Sequence, residues 1–184
     1  MSYKPDLLTV VYGGTGASTA AGARTNLGVP SVLFDHYTDS SVGGGESTIY
    51  SDTIAASQLA NNGEKLKAMY GGDFITAGTE STQLLVTFAG TTIFNSGSVA
   101  VSTGTSGWGV EIDIVRVSST VIRYTVRLTT SGATTFNYCS SGELTGLTLS
   151  NTNDLVLRGA SSGIGSGAGD IVGIMGYVLW MGAV

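Results

Sequence analysis

The run Val110–Leu128, VEIDIVRVSSTVIRYTVRL, decides the fold class. Val110, Ile112 and Ile114 alternate with Glu111 and Asp113. After Ser118-Ser119-Thr120, Ile122, Tyr124, Val126 and Leu128 alternate with Arg123, Thr125 and Arg127. A period of two is the signature of a strand with one face buried, and two such runs around a short polar turn make an antiparallel hairpin. The neighbours Ile114 and Val115 break the alternation and predict a bulge there. The acids of the first strand should lie near the arginines of the second. These four charges read as the solvated face of a sheet rather than as a catalytic set, since cross-strand ion pairs contribute only about 0.2–1 kcal/mol each.

Working outward, the same period recurs. Strands are predicted at 7–12, 32–37, 47–54, 65–70, 83–89 and 91–94 before the hairpin, and at 135–139, 144–149 and 155–158 after it. The last segment, Ile171–Val184, reads IVGIMGYVLWMGAV and carries no charge. Its odd and even positions are both apolar, which suits a strand buried on both faces. One face would meet the domain core and the other a neighbouring subunit. Ile174, Tyr177, Leu179, Trp180 and Met181 are the candidate subunit contacts, with a homotrimer the expected assembly. Eight to ten short strands after residue 31, separated by Gly/Ser/Thr/Asn turns, predict a mainly β protein, an antiparallel β-sandwich of jelly-roll type. No internal repeat is visible.

The bulk numbers agree. The chain has 184 residues, enough for one domain and a short appendage, with 42% apolar and only 11% charged residues. That is too apolar for disorder and poor in charge for a small monomer, whose surface normally carries more. A surface largely covered by partners is expected. The net charge of −5, with no basic cluster beyond Lys65 and Lys67, argues against nucleic acid. No apolar run reaches the roughly 18–20 residues of a membrane helix, so membrane insertion is not expected. The start of the chain does not read as a signal peptide, so the protein is expected to be made in a cytoplasm. The single cysteine, Cys139, offers no intrachain disulfide and no zinc spacing, and reads as a small buried apolar residue.

Candidate chemistry is thin. Gly13–Thr19 lacks the lysine of a phosphate loop, and its third glycine is misplaced for a dinucleotide fingerprint. The later run 165–169, GSGAG, precedes a strand and fails in the same way. His36 is the only histidine. Asp35 beside it points to the opposite face of a strand, no nucleophile elbow is present, and His36 reads as structural. The carboxylates from Asp35 to Asp170 are scattered. Their spacing supports neither a metal loop nor a glycosidase pair, so no metal, no cofactor and no enzymatic activity are expected. Trp108, in the glycine-rich run 104–109 that reads as a loop, and Tyr138 are candidate platforms for stacking on a sugar. Trp108 has the alternative of covering one end of the sandwich.

Ahead of the sandwich lies GGTGASTAAGARTNLGV, from Gly13 to Val29. Ser18 or Thr19 can cap a helix over Ala20–Leu27 that ends at Gly28, with Pro30 behind it. Two turns of helix do not stand alone. This run resembles a segment of bacteriophage tail-fibre and related virion fibre proteins, of the form GGTG(A/T)(S/T)TAxxARxNLG(L/V). The match runs through Gly13, Gly14, Thr15, Gly16, Ala17, Thr19, Ala20, Ala23, Arg24, Asn26, Leu27 and Gly28, about a tenth of the chain. The resemblance implies a joint between an attachment part and a head in a trimeric fibre. It divides the chain into an anchor and joint at 1–30 and a knob at 31–184. Leu7, Val10, Tyr12, Gly13, Gly14, Gly16, Arg24, Asn26 and Leu27 are the expected anchor and joint residues. The implied function is a phage virion structural protein, a short trimeric fibre or spike held to other virion proteins by its N-terminus. Its knob would serve host-surface attachment, through a glycan or a protein, or particle decoration. The alternatives are a head fibre with a stabilising role alone and a glycan-binding adhesin tip. The expected location is the virion.

Overall fold

The computed structural model describes residues 15, 17, 19–76, 78, 80–132, 135–163 and 170–182. The predicted strand at 7–12, the joint residues Leu7, Val10, Tyr12, Gly13, Gly14 and Gly16, and the run 165–169 lie outside the described residues. One short helix, α1 (Ala20–Asn26), precedes twelve strands among those described. The strands are β1 (Ser31–His36), β2 (Ser40–Val42), β3 (Ser47–Ile54), β4 (Lys65–Thr76), β5 (Glu80–Phe88), β6 (Thr91–Asn95), β7 (Val99–Val101), β8 (Gly104–Ser118), β9 (Val121–Gly132), β10 (Asn137–Leu144), β11 (Asn153–Gly163) and β12 (Ile171–Met181).

The strands form two antiparallel sheets. The larger runs β1-β12-β4-β8-β9-β10, with β2 following β1 along the same edge of β12. The smaller runs β3-β11-β5-β6, with β7 also on β5. The pairings nest: β5 with β6, β4 with β8, β3 with β11, and β1 and β2 with β12. A long hairpin paired in this way and rolled so that β12 meets β4 and β11 meets β5 is a jelly roll. The β9–β10 hairpin is an addition that widens the larger sheet beyond β8. It reaches across to the other sheet, where the Ser140 hydroxyl donates to the Ile93 carbonyl at 3.2 Å.

Alternation fixes the core. Leu66, Ala68, Tyr70 and Phe74 of β4, Val110, Ile112 and Ile114 of β8, and Ile122, Val126 and Leu128 of β9 face inward. Leu84, Val86 and Phe88 of β5 and Leu155 and Leu157 of β11 meet them from the smaller sheet. The turn from β5 to β6 is made by Ala89 and Gly90, both at positive φ (50° and 76°). Two such residues form the primed turn whose twist matches a hairpin.

Several expectations need correction. The β8 bulge falls between Arg116 and Ser118, not at Ile114-Val115. Val115 simply faces outward opposite Arg123, so its apolar side chain broke the pattern without breaking the strand. The run 104–109 is strand, not loop, because it pairs with both β4 and β9. The predicted strand at 144–149 keeps only Leu144. Gly146 takes φ 75° and turns the chain, and Leu147 and Leu149 are buried from a loop tied to the Ser119 and Thr120 carbonyls. The expected charge pairing across β8 and β9 is partial. Glu111 opposes Arg127, but Asp113 opposes Thr125, and Arg123 pairs instead with Glu143 of β10 at 3.2 Å. Cys139 is exposed rather than buried, as it lies on the outer face of β10 opposite Arg127.

Candidate functional sites

Three places gather functional side chains. The first is the joint. The Thr19 hydroxyl accepts from the Gly22 amide at 3.0 Å and caps α1. At the other end Gly28 adopts φ 66°, and the Val29 amide donates to the Arg24 carbonyl at 2.9 Å. That 6→1 bond after a left-handed glycine is a Schellman ending. The Asn26 side-chain amide donates to the Thr15 carbonyl at 2.6 Å. The arrangement explains why Thr, Asn and Gly stand at those positions. It leaves Leu27 60% and Val29 48% exposed, with Arg24 also on the surface.

The second is the outer face of the larger sheet. Tyr177 pairs in register with Asp35 and Met69, and its hydroxyl donates to the Met69 sulfur at 3.3 Å. Leu179 lies between Val32, which is 60% exposed, and Lys67. A register shift between Gly173 and Met175 turns Ile174 and Met175 both outward, the latter 62% exposed. Beside them runs a furrow of about 360 Å³ walled by Met69, Ile174 and Met175 and floored by Gly71 and Gly109, which have no side chains to fill it. Of the five predicted subunit contacts, Ile174, Tyr177 and Leu179 share this outer face and Met181 is half-buried beyond them. Trp180 packs against the core instead. Trp108 is also turned inward, only 4% exposed, with its ring 6.3 Å from Phe74. It is therefore not an open platform for a sugar; it sits on the buried phase of β8. Tyr138 is 42% exposed and tilts against Phe136.

The third lies inside the sandwich. His36 Nε2 is 2.9 Å from Asp52 Oδ1, and the Tyr70 hydroxyl donates to Asp52 Oδ2 at 2.6 Å. Tyr50 stacks on His36 and on Tyr70, with centroids 4.3 and 5.4 Å apart. Burial, then the charge of Asp52, holds the Tyr70 phenol well above its usual pKa. Tyr50 is raised by burial and then by Asp39 and Asp52. Gly173 and Gly176 of β12 leave room for these rings: a Cβ on Gly176 would stand 2.5 Å from Tyr70 Cδ1. The partner of His36 is thus Asp52, sixteen residues on, and not its neighbour Asp35, which accepts from the Tyr37 hydroxyl. One signal could have found it: Asp52 stands in phase with Tyr50 and Ile54, on the buried alternation of β3. The cluster ties β1, β3 and β4 together. The described residues contain no metal-binding group of His, Cys, Asp and Glu.

No helix among the described residues is long and apolar enough to cross a membrane. No family model matches the chain, and no curated protein matches it. Among solved structures it is similar to a chain of the infectious bursal disease virus Gt strain structure, with 14% identity and a TM-score of 0.36 over 83% of this chain and 33% of that one. It is likewise similar to a chain of the Gx strain structure, with 10% identity and a TM-score of 0.36 over 83% and 32%. The protein spans about a third of the length of the chains it matches.

Proposed function

We propose that the protein is a bacteriophage virion structural protein, in which residues 1–30 anchor it to the particle and residues 31–184 form a knob displayed as a homotrimer. The knob serves attachment to the host surface or decoration of the particle. One observation carries the reading. A helix of seven residues, closed at both ends by its own caps, holds Leu27 and Val29 out into water. Such a helix is far shorter than one that stands alone. Capped so carefully, with its apolar residues unburied, it is built to pack against something else, as the fibre-joint resemblance of this segment implies. The outer face around Tyr177, Leu179 and Met175 supplies a second apolar surface on the same chain, suited to a neighbouring knob.

Light scattering on the full chain tests the assembly. Three copies of the 18.7 kDa chain are expected, and Leu27→Asp should reduce the oligomer while leaving the melting of the sandwich unchanged. A full chain that runs as a monomer at micromolar concentration overturns the proposal. A label on the C-terminus, imaged on purified particles, then separates the two roles. Label on the tail makes attachment the function, and label over the head makes it decoration.

A further inference from the structure

We propose that the end of the sandwich holding the β8–β9 turn carries a binding site for a small acidic saccharide, a sugar ring bearing a carboxylate. A pocket of about 550 Å³ opens there, within the range of small-ligand sites. Three separate segments wall it: the 3-10 turn Ala56–Leu59, the β8–β9 turn at Ser119 and Thr120, and the β10–β11 connection at Leu147–Ser150. The last two are tied to each other by backbone bonds, Leu147 N to Thr120 O at 3.0 Å and Leu149 N to Ser119 O at 3.4 Å, and the first is held to β8 by the Arg116 side chain, which donates to the Leu59 carbonyl. The walls are therefore set before anything binds.

Arg116 supplies the charge. The residue lines the pocket, and its guanidinium donates through one terminal nitrogen to the Leu59 carbonyl. Its Nε is buried with no hydrogen-bond partner, and no carboxylate pairs with it among the described residues. Glu64, whose backbone carbonyl accepts from the Arg116 amide, turns its carboxylate to Asn61, accepting at 3.0 and 2.9 Å. A cation left without its anion at the wall of a cleft, in a chain of net charge −5, marks where an anion is missing. The rest of the wall says which anion. Ser57, Ser119, Thr120, Thr148 and Ser150 line the pocket with hydroxyl-bearing residues, and Ala56, Ala60 and the edge of Leu147 give it an apolar patch. A carboxylate fits the planar guanidinium, ring hydroxyls fit the Ser/Thr rim, and the C–H face of a sugar fits the alanines and the edge of Leu147. A single cation with no second basic residue in the lining suits a carboxylate better than a phosphate.

This site does not depend on the virion reading, and its test is separate. The full chain is titrated with glucuronic acid and with N-acetylneuraminic acid, followed by amide shifts in two-dimensional NMR. Glucose, glucose 6-phosphate and acetate serve as controls. Expected are saturable shifts at Ser119, Thr120, Thr148 and Leu149 with millimolar dissociation constants for at least one sugar acid, and binding of glucose and acetate at least tenfold weaker. Arg116→Lys should weaken the sugar acid at least tenfold. Because that variant also loses its bond to Leu59, Thr148→Tyr, at an exposed rim position, should block the pocket in a chain that melts like the wild type. Absence of shifts at 50 mM of either acid, or equal binding of glucose or acetate, overturns the proposal. Tighter binding of glucose 6-phosphate makes this a phosphate site and overturns it as well. Loss of oligomer in Arg116→Lys without any sugar binding would mean that a carboxylate of another protein chain fills the pocket, which also overturns it.

Discussion

Gly71 and Gly72 are neighbours on β4 and should respond to alanine in opposite ways. Gly72 faces inward at the place where β12 bulges. A Cβ there would lie 1.8 Å from the Val172 carbonyl oxygen and 2.8 Å from Trp108 Cζ2, where contacts under 3.0 Å are not tolerated. The first obstacle is backbone of a central strand, so no rotamer change relieves it, and β12 or β4 must move by more than an ångström. Overpacking costs about 1–3 kcal/mol where side chains can yield, and more where they cannot. For Gly72→Ala we expect about 3 kcal/mol or more. At roughly 2–4 °C per kcal/mol for a chain of this size, Tm should fall by about 6–12 °C. Gly71 faces outward on the furrow floor, and its Cβ would meet the Trp108 carbonyl at 3.5 Å and Met175 Cγ at 3.6 Å, ordinary contacts. Gly71→Ala should stay within about 0.5 kcal/mol of wild type or gain slightly, since alanine narrows the unfolded ensemble. Thermal melts followed by circular dichroism compare the two. If both variants melt within 2 °C of each other, the inward and outward assignment of β4 against the β12 bulge is wrong.

Ala89 holds φ 50° in the β5–β6 turn, a conformation that costs a side-chain-bearing residue on the order of 1 kcal/mol. Ala89→Gly should therefore raise Tm by about 1–4 °C, and a fall would refute the turn geometry. Asp52→Asn removes the charge that accepts from Tyr70 and meets His36. It should lower the unfolding free energy by about 1.5–3 kcal/mol in urea titrations at neutral pH, with an unchanged m-value; an unchanged midpoint would refute the buried pairing. Tyr70 is raised by burial, so its unfolded phenol ionises above pH 10 while the folded one keeps its proton. The associated stability is whole below pH 10 and is lost as pH climbs past it. Tyr70→Phe should be less stable at neutral pH, yet lose less than wild type above pH 10 in the same titration; parallel losses would refute the assignment.

What the sequence made legible, and what it hid, follows from range. The β8–β9 hairpin and the inward sets of β3, β5 and β11 are local patterns, and alternation reads them directly. The helix cap and its glycine stop are local too, and Thr19 and Gly28 do what their types suggest. Three things were hidden because they are set by distant partners. Val115 looked like a bulge because its apolar side chain faces outward, a tertiary choice. The run 104–109 looked like loop because it is rich in glycine, yet neighbouring strands on both sides hold it extended. The Leu144–Leu149 run alternates like a strand, but its leucines cap the end of the core from a turn. The candidate sites divide in the same way. Asp52 could have been paired with the inward phase of β3, whereas the Arg116 pocket draws on segments 27 residues apart at their nearest, from Thr120 to Leu147, and no spacing rule joins them.

The larger sheet is divided along its outer face, and that division limits how copies can meet. Over β1, β12 and β4 the outward residues include Val32, Leu179, Tyr177, Met175 and Met69, with the charges of Asp35, Lys67 and Lys65 among them towards the ends. Over β8, β9 and β10 they are Glu111, Asp113, Arg127, Arg123 and Glu143, with an exposed ion pair between the last two. Burying the first set gains apolar area. Burying the second would desolvate charges, most of them without a partner, at a cost that pairing rarely repays. A neighbouring knob in the proposed trimer would therefore sit on the β1-β12-β4 half, and the added β9–β10 hairpin would stay in water. The β9–β10 addition then has a physical reason: its outward Arg123, Arg127 and Glu143 keep one flank of the sandwich solvated while the other is covered. Tyr177 and Met69, already joined by a hydrogen bond, stand at the boundary between the two halves. The expected edge of the contact runs through that pair, so Met175→Asp should weaken the oligomer in light scattering while Glu111→Lys should not.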